Sequence, residues 1–398
     1  MAWQLPSVAY LWPALAAGAA GDAMTAFARE LASLALASGA RGRMPSWTTR
    51  NRVALELATV CLRDFSTASA GGPAAPATLV CAPFSLHGAT VVDFASGHSL
   101  VAALMAGGLK RVFVTDWRSA DAEMRFLSVD AYLADLNVLV DELGGPVDLI
   151  GLCQGGWMAL AYAARFPAKV RKLVLAGAPV DIAAEESKLS RMARQTPLSV
   201  FRDVVALGDG RMLGRYALQF WGPALADAAA VGEILQTPKA TDPARLGRLE
   251  ARFRAWSAWT LDLPGSYYLD VVERLFKRNE LAAGRFVALG RRIDLSTLCI
   301  PIFLLAARDD ALVAPAQIFA TAHLVGAPPH RVRTAIAPCS HLGLFMGQRI
   351  LNETWPPVVR WLTEPVVDEH TMAEQCGRAA RTANPPPTAA ASAAAPRR

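Results

Sequence analysis

Cysteine is scarce in this chain of 398 residues, which contains six cysteines and no Cys-X-X-Cys pair. A disulfide framework needs a denser and more regular pattern, and a structural zinc site needs closely paired ligands, so the spacing favours neither. No basic segment followed by an apolar core and a small-residue cleavage site follows Met1. The sequence therefore predicts reduced thiols, no metal site and a cytoplasmic protein.

Long apolar runs and clustered charge are also missing. The longest N-terminal apolar stretch, residues 8–20, contains Pro13 and is too short to span a bilayer, so no transmembrane segment is predicted. Charged residues make up only 19% of the chain, and the net charge of +6 is scattered without a run of five basic residues. This distribution argues against a nucleic-acid partner, whereas an apolar content of 53% supports a large buried core.

The chain does contain an alternation of apolar strands and helices. Six short apolar runs have the length of strands, at residues 77–82, 112–115, 147–152, 172–176, 300–306 and 332–336. Helical patterns lie between them, at residues 99–106, 129–143, 157–166 and 315–325. This alternation predicts an α/β fold in which helices flank a mostly parallel central sheet on both faces.

Changes in this alternation divide the chain into segments. Residues 1–65 are predicted to be an N-terminal helical segment, with apolar residues at helical spacing between Met24 and Leu36. Residues 66–181 and 294–363 are predicted to form the two parts of the α/β core, separated by a helical cap insertion at residues 182–293. Residues 364–398 end in a low-complexity stretch rich in Ala and Pro and are predicted to be a disordered tail.

Residues 151–156, Gly-Leu-Cys-Gln-Gly-Gly, lie between the third predicted strand and a helix. A nucleophile flanked by glycines in this context is typical of the nucleophile elbow, where Cys153 takes the place that serine usually fills. The N-terminus of the helix favours a thiolate, and the backbone N–H of Gln154 is predicted to face the oxyanion of the reaction. The alternative is a buried structural cysteine in a glycine-rich turn.

A cysteine nucleophile needs a histidine to move its proton and a carboxylate to orient that histidine. In α/β-hydrolases the acid and then the histidine follow the nucleophile along the chain. Asp310 follows the fifth predicted strand and precedes an apolar pair and Pro315, so it is the predicted acid, with Asp309 as the alternative. His341, in the loop after the last strand, is the predicted base. The N–H of Leu86, in the loop after the first predicted strand, is the predicted second oxyanion donor.

These motifs resemble the branch of the α/β-hydrolases that contains polyhydroxyalkanoate synthases and intracellular polyhydroxyalkanoate depolymerases. A cysteine at the elbow is typical of that branch, and the resemblance covers residues 79–362. Residues 82–90, 115–117, 261–281 and 340–347 look like the depolymerase, whereas Cys-Gln-Gly-Gly-Trp at 153–157 looks closer to synthase-like relatives. The resemblance implies an α/β-hydrolase fold with Cys153, Asp310 and His341 as the catalytic triad. It also implies a hydrophobic polyester of 3-hydroxy acids as substrate, and no metal or organic cofactor.

The main functional interpretation is a hydrolase that cleaves intracellular polyhydroxyalkanoate through a thioester acyl-enzyme. The alternatives are a synthase that transfers acyl groups from 3-hydroxyacyl-CoA and a non-catalytic protein of the granule surface. The expected partner is a polyhydroxyalkanoate granule or a 3-hydroxyacyl ester or thioester, with granule association and a homodimer paired through the cap as further expectations. Trp157, Trp256 and Trp259 are predicted to line the path of the apolar substrate, with ordinary core packing as the alternative.

Overall fold

An eight-stranded sheet forms the centre of the protein in the computed structural model, which describes residues 44–67, 75–218, 231–238 and 241–366. The sheet consists of β1 (Arg52–Glu56), β2 (Val60–Asp64), β3 (Thr78–Cys81), β4 (Val112–Trp117), β5 (Val147–Leu152), β6 (Val170–Ala176), β7 (Ile302–Ala307) and β8 (Val332–Ala337). Its order is β1-β2-β4-β3-β5-β6-β7-β8. Strand β2 pairs antiparallel with β1 and β4, and all other pairs are parallel. The predicted α/β architecture with a mostly parallel sheet is confirmed.

The helices of the described residues follow the strands in the expected alternation. Those with both ends in the described part of the chain are α1 (Leu100–Ala106), α2 (Val129–Glu142), α3 (Gln154–Arg165), α4 (Lys188–Gln195), α5 (Leu198–Leu207), α6 (Val231–Leu235), α7 (Pro243–Ala258), α8 (Gly265–Asp270), α9 (Pro315–Phe319), α10 (Thr321–Leu324), α11 (Gly343–Met346), α12 (Gln348–Glu353) and α13 (Trp355–Thr363). Residues 214–218 are also helical. Helix α8 continues as a π-helical segment, Val271–Lys277. Helices α4 to α8 lie between β6 and β7, in the segment predicted to be the cap.

Shorter elements connect these helices and strands. Single 3₁₀ turns lie at Ala89–Val92, Glu123–Phe126, Pro167–Lys169, Leu295–Thr297 and Pro329–Arg331. Two-residue to three-residue strands form small antiparallel pairs between Asp93–Ala95 and His98–Ser99, Arg211–Met212 and Leu263–Pro264, and Val287–Ala288 and Arg291–Arg292. In the part of the chain that the structure describes, no helix combines the length and the apolar character needed to cross a membrane.

The prediction that residues 1–65 are helical is wrong for residues 52–64, which form the antiparallel strands β1 and β2. In β2 the side chains of Val60, Leu62 and Asp64 are buried, whereas Cys61 and Arg63 are half-buried. This two-residue period is that of a strand with one face on the core. The helical spacing between Met24 and Leu36 lies outside the described residues, as does the tail beyond residue 366.

The central strands are buried on both faces because successive side chains alternate between two apolar layers. In β5, Leu149 belongs to the layer that contains α2 and α3, and Ile150 belongs to the layer that contains α1 and α13. The whole of β5 is buried, and so is the whole of β7. This double burial explains why the strands read as continuous apolar runs in the sequence.

A buried lysine fastens the last helix to the sheet. Lys172 of β6 is only 2% exposed, and its Nζ donates to the carbonyl oxygens of Trp361, Leu362 (3.3 Å) and Glu364 (2.7 Å) at the end of α13. The ammonium group also lies 4.9 Å from the centroid of the Trp361 ring. The last carbonyls of a helix have no hydrogen-bond partners within the helix. Lys172, which belongs to the sheet, supplies the missing donor.

We predict that Lys172→Met destabilises the protein, because the methionine fills a similar volume but removes the buried donor to the carbonyls of Trp361 and Glu364, whereas Leu362 still accepts from Arg171. The free energy of unfolding should fall by about 1–3 kcal/mol, measured by urea unfolding at neutral pH. Lys110→Met is the matched control, since Lys110 is exposed and its replacement should change stability by less than about 0.5 kcal/mol. Equal unfolding midpoints for the two variants would contradict the anchoring role.

Candidate active site

The turn between β5 and α3 places Cys153 in a strained backbone conformation. Its φ of 47° and ψ of −120° are rare for a residue other than glycine, because a Cβ crowds the backbone there. Two backbone hydrogen bonds hold the turn: the N–H of Cys153 donates to the carbonyl of Ala176 in β6 (2.9 Å), and the N–H of Gly156 donates to the carbonyl of Cys153 (2.9 Å). Strain of this kind persists where the surrounding structure enforces it, as at many active sites.

Three glycines allow the turn to be this tight. A Cβ on Gly151 would lie 2.6 Å from the Cα of Gly156, and one on Gly155 would lie 2.6 Å from the carbonyl oxygen of Ala82. A Cβ on Gly156 would overlap the side chain of Ala178. The elbow therefore requires glycine on both sides of the nucleophile, and Gly155 brings it into direct contact with the end of β3.

The carboxylate of Asp310 and the imidazole of His341 form a buried pair beside this turn. Asp310 follows β7, and its Oδ2 accepts a hydrogen bond from Nδ1 of His341 at 2.6 Å. Its Oδ1 accepts from the backbone N–H groups of Leu312 and Val313, both at 2.9 Å. These bonds fix the carboxylate in one orientation. The side chain of Asp309, the alternative acid, is 69% exposed.

His341 also interacts electrostatically with the side chain of Cys153. Burial opposes the protonated form of His341, but the Asp310 carboxylate, its hydrogen bond to His341 and the interaction with Cys153 outweigh it and raise the pKa of His341 well above its usual value. The structure thus brings Cys153, His341 and Asp310 together beside the turn that follows β5.

Gly177, which the sequence interpretation overlooked, makes room for this imidazole. It follows β6 directly with a φ of 56°, and a Cβ there would lie 3.2 Å from Cε1 of His341. The available signal was a glycine immediately after a buried strand next to the elbow strand, where a backbone often approaches a functional group closely.

Gln154 begins α3, and its backbone N–H belongs to the first helical turn, where N–H groups have no partner within the helix. Such N–H groups favour an anion. The Gln154 side chain is buried, and its Oε1 accepts a hydrogen bond from Nε1 of Trp157 at 2.8 Å. Trp157 is fully buried, so the structure places it in the core behind the elbow, where it holds Gln154.

The loop that follows β3, residues 83–88 and here called the first loop, starts next to the elbow. The N–H of Ala82 donates to Oγ1 of Thr115 (3.0 Å), and Nε1 of Trp117 donates to the carbonyl of Ala82 (2.9 Å). Both partners belong to the Thr-Asp-Trp sequence at the end of β4. Leu86 lies within the first loop, and its carbonyl accepts from the N–H of Leu261 at 2.9 Å. The loop backbone is therefore fixed on both sides of the predicted oxyanion donor.

Trp256 and Trp259 lie at the end of α7 and contact the first loop. The ring of Trp256, which is buried, lies 4.3 Å from the ring of His87 between centroids. The half-buried Trp259 accepts a hydrogen bond at its carbonyl from Nδ1 of His87 (3.1 Å), and a Cβ on Gly88 would lie 2.9 Å from its ring. Both tryptophans thus belong to the surroundings of the first loop. No group of three or more His, Cys, Asp or Glu side chains suited to a metal ion occurs among the residues described.

Comparison with known proteins places this geometry in a family. The family model for the alpha/beta hydrolase fold matches residues 104–348, a range that includes Cys153, Asp310 and His341. The chain is 30% identical over 290 residues to the poly(3-hydroxyalkanoate) polymerase subunit PhaC of Synechocystis sp., covering 69% of this chain and 74% of the relative. The protein of the same name from Allochromatium vinosum is 26% identical over 281 residues, covering 69% of this chain and 77% of the relative.

Among solved structures, the enol-lactonase from Burkholderia xenovorans LB400 has a TM-score of 0.49 and 18% identity, covering 77% of this chain and 99% of that chain. The family assignment depends on the sequence matches, since the family model spans more than half of the 398 residues. The chain belongs to the α/β-hydrolase superfamily and, within it, to the branch of the poly(3-hydroxyalkanoate) polymerase subunit PhaC.

Proposed function

We propose that this protein is an acyltransferase that builds poly(3-hydroxyalkanoate) from 3-hydroxyacyl-CoA, with Cys153 as its nucleophile. The observation that carries the proposal is the buried His341–Asp310 hydrogen bond beside Cys153 in a member of the PhaC branch. The names of the relatives favour this synthase alternative over the depolymerase interpretation of the sequence. The cytoplasmic location, the association with granules and the pairing of two chains stay predictions.

In the first step, the thiolate of Cys153 attacks the thioester carbonyl of 3-hydroxyacyl-CoA. A bond forms between the Cys153 sulfur and the acyl carbon, the bond to the CoA sulfur breaks, and protonated His341 gives its proton to the departing CoA thiolate. The N–H groups of Gln154 and Leu86 stabilise the oxyanion. One thioester replaces another in this step, so the acyl–sulfur bond that forms on Cys153 is of about the same strength as the bond to CoA that breaks.

In the second step, neutral His341 takes the proton of a 3-hydroxyl group, and the hydroxyl oxygen attacks the acyl carbon on Cys153. An ester bond forms, the thioester bond breaks, and the thiolate of Cys153 is restored beside protonated His341. Water in place of the hydroxyl would give hydrolysis by the same route.

Product analysis tests the direction of the chemistry. Purified protein is given 3-hydroxybutyryl-CoA in one reaction and amorphous poly(3-hydroxybutyrate) granules in another. We expect release of CoA together with new polymer in the first reaction, and at least a single-turnover release of CoA with a Cys153-bound acyl group. This single-turnover measurement is included because the relatives are named as subunits. Mass spectrometry of the protein detects the acyl group.

Cys153→Ala is the control, and all acyl transfer should disappear in it. Acid or oligomers released from granules without polymer formation would instead support the depolymerase. CoA release that survives in Cys153→Ala would contradict a covalent role for Cys153 under either interpretation.

Asp310→Asn tests the orienting carboxylate. The asparagine keeps an oxygen for the N–H groups of Leu312 and Val313 but loses the charge that stabilises protonated His341. We expect kcat to fall by about three to four orders of magnitude, as with the corresponding change in serine proteases. Asp309→Asn is the matched control, and it should keep nearly full activity. Equal losses in both variants would argue against Asp310 as the specific acid.

The same variant has a predictable pH dependence of stability. The raised pKa of His341 in the folded protein contributes stability that is fully present below its unfolded value of about 6.5 and is lost as the pH rises through the folded value. Asp310→Asn should therefore destabilise the protein more at about pH 6 than at high pH, measured by thermal unfolding. If the difference in thermal stability between Asp310→Asn and the wild type does not change with pH, this charge coupling is excluded.

A further inference from the structure

We propose that His87 is a positioning residue that ties the first loop to the cap, so that the cap holds the oxyanion-binding backbone beside Cys153. This inference rests on the proposed acyl transfer, since it concerns the stabilisation of the oxyanion in that reaction. His87 is not the proposed nucleophile, acid or base, and this inference gives it a separate role in the site.

The cap contacts the first loop at three positions, through two hydrogen bonds and one longer contact. Nδ1 of His87 donates to the carbonyl of Trp259 at 3.1 Å. The N–H of Leu261 donates to the carbonyl of Leu86 at 2.9 Å. A third and longer contact of 3.5 Å joins the hydroxyl of Tyr267 to the carbonyl of Phe84. The cap residues 259–267 therefore run along the loop that carries the predicted donor.

Close ring packing supports these hydrogen bonds. The His87 ring lies against the Trp256 ring at 4.3 Å, and the absence of a side chain at Gly88 lets the Trp259 ring approach the loop. The rings of Phe84 and Tyr267 lie 5.0 Å apart, and both are buried. Such packing restricts the loop in directions that a single hydrogen bond leaves free.

The other end of the loop is fixed by the sheet. Ala82 is bound through its N–H to Thr115 and through its carbonyl to Trp117. The N–H of Leu86 therefore lies between one attachment to the sheet and another to the cap. An oxyanion hole is effective only when its donors are held in place before the charge develops, so each attachment contributes to the rate of acyl transfer.

His87 is suited to this task because it keeps one tautomer. A carbonyl oxygen can only accept, so the proton of the ring lies on Nδ1, which faces Trp259. Burial lowers the pKa of His87 to about 4, although the hydrogen bond to Trp259 opposes the shift. The ring is thus neutral at neutral pH and does not compete with His341 as the protonated histidine of the site.

Two substitutions separate the hydrogen bond from the ring. His87→Asn keeps an N–H donor close to the position of Nδ1 but removes the ring, whereas His87→Phe keeps a ring against Trp256 but removes the donor. His330→Phe, at an exposed histidine, is the matched control. The measurements are the rate of Cys153 acylation by 3-hydroxybutyryl-CoA and by p-nitrophenyl butyrate, and the rate of Cys153 alkylation by iodoacetamide.

We expect His87→Phe to slow acylation by about 10- to 100-fold, less than the loss of a complete oxyanion donor, with little change in KM. Alkylation should stay within about 2-fold of the wild-type rate, because it develops no oxyanion and needs only the Cys153–His341 pair. His87→Asn should retain most of the acylation rate, and His330→Phe should retain all of it. A merely structural role for His87 would instead lower acylation and alkylation together.

Three results would overturn the proposal: wild-type acylation in His87→Phe, a parallel fall in alkylation, or equal losses in His87→Asn and His87→Phe. If His87→Phe does not fold, Tyr267→Phe removes the other side-chain donor to the loop and should act in the same direction. Failure of the proposed function is distinguishable, because 3-hydroxybutyryl-CoA would then be inert while p-nitrophenyl butyrate still reports on the oxyanion hole. Inertness of the wild type towards both reagents would overturn both proposals.

Discussion

The close approach of β5 and α3 at Cys153 is the constraint on which the rest of the site depends. The positive φ of Cys153 is tolerated because neighbouring strands hold the turn from both sides, with β6 accepting its N–H and β3 lying against Gly155. The strain is therefore offset by hydrogen bonds and packing of the sheet as a whole. A serine or cysteine at this place is presented to the substrate by the fold, and no flexible loop is needed to position it.

The parallel sheet brings the other groups to the same edge. The first loop follows β3, Asp310 follows β7 and His341 follows β8, and the carboxyl ends of parallel strands meet at one edge of a sheet. The buried Asp310 carboxylate and the raised pKa of His341 are consequences of this convergence, because both side chains are buried there and form an ion pair with each other. The topology thus places the Asp310–His341 pair at the same edge of the sheet as Cys153.

Much of this was predictable because the signals are local. The six core strands are short apolar runs, and the nucleophile elbow can be predicted from the six residues Gly-Leu-Cys-Gln-Gly-Gly alone. Strands β1 and β2 were missed because β1 is largely exposed and its pairing with β2 depends on contacts beyond its own sequence. The sequence also could not show whether Trp157 faces a substrate path or the core. Helical periodicity indicates that a face of a helix is apolar, but not which part of the protein packs against that face. Its indole N–H instead binds the side chain of Gln154.

The direction of the chemistry was hard to read for a different reason. Hydrolysis and polymerisation share the same acyl-enzyme, so the residues that form it cannot distinguish them, and only the acceptor differs. What separates the two outcomes is the access of water relative to a hydroxyl group, which is a property of the surroundings of His341 and of the first loop. The cap supplies part of the surroundings of the first loop through Trp259 and Leu261, which bind the loop at His87 and Leu86. A difference in these cap contacts is one way in which the same fold can serve a synthase or a hydrolase.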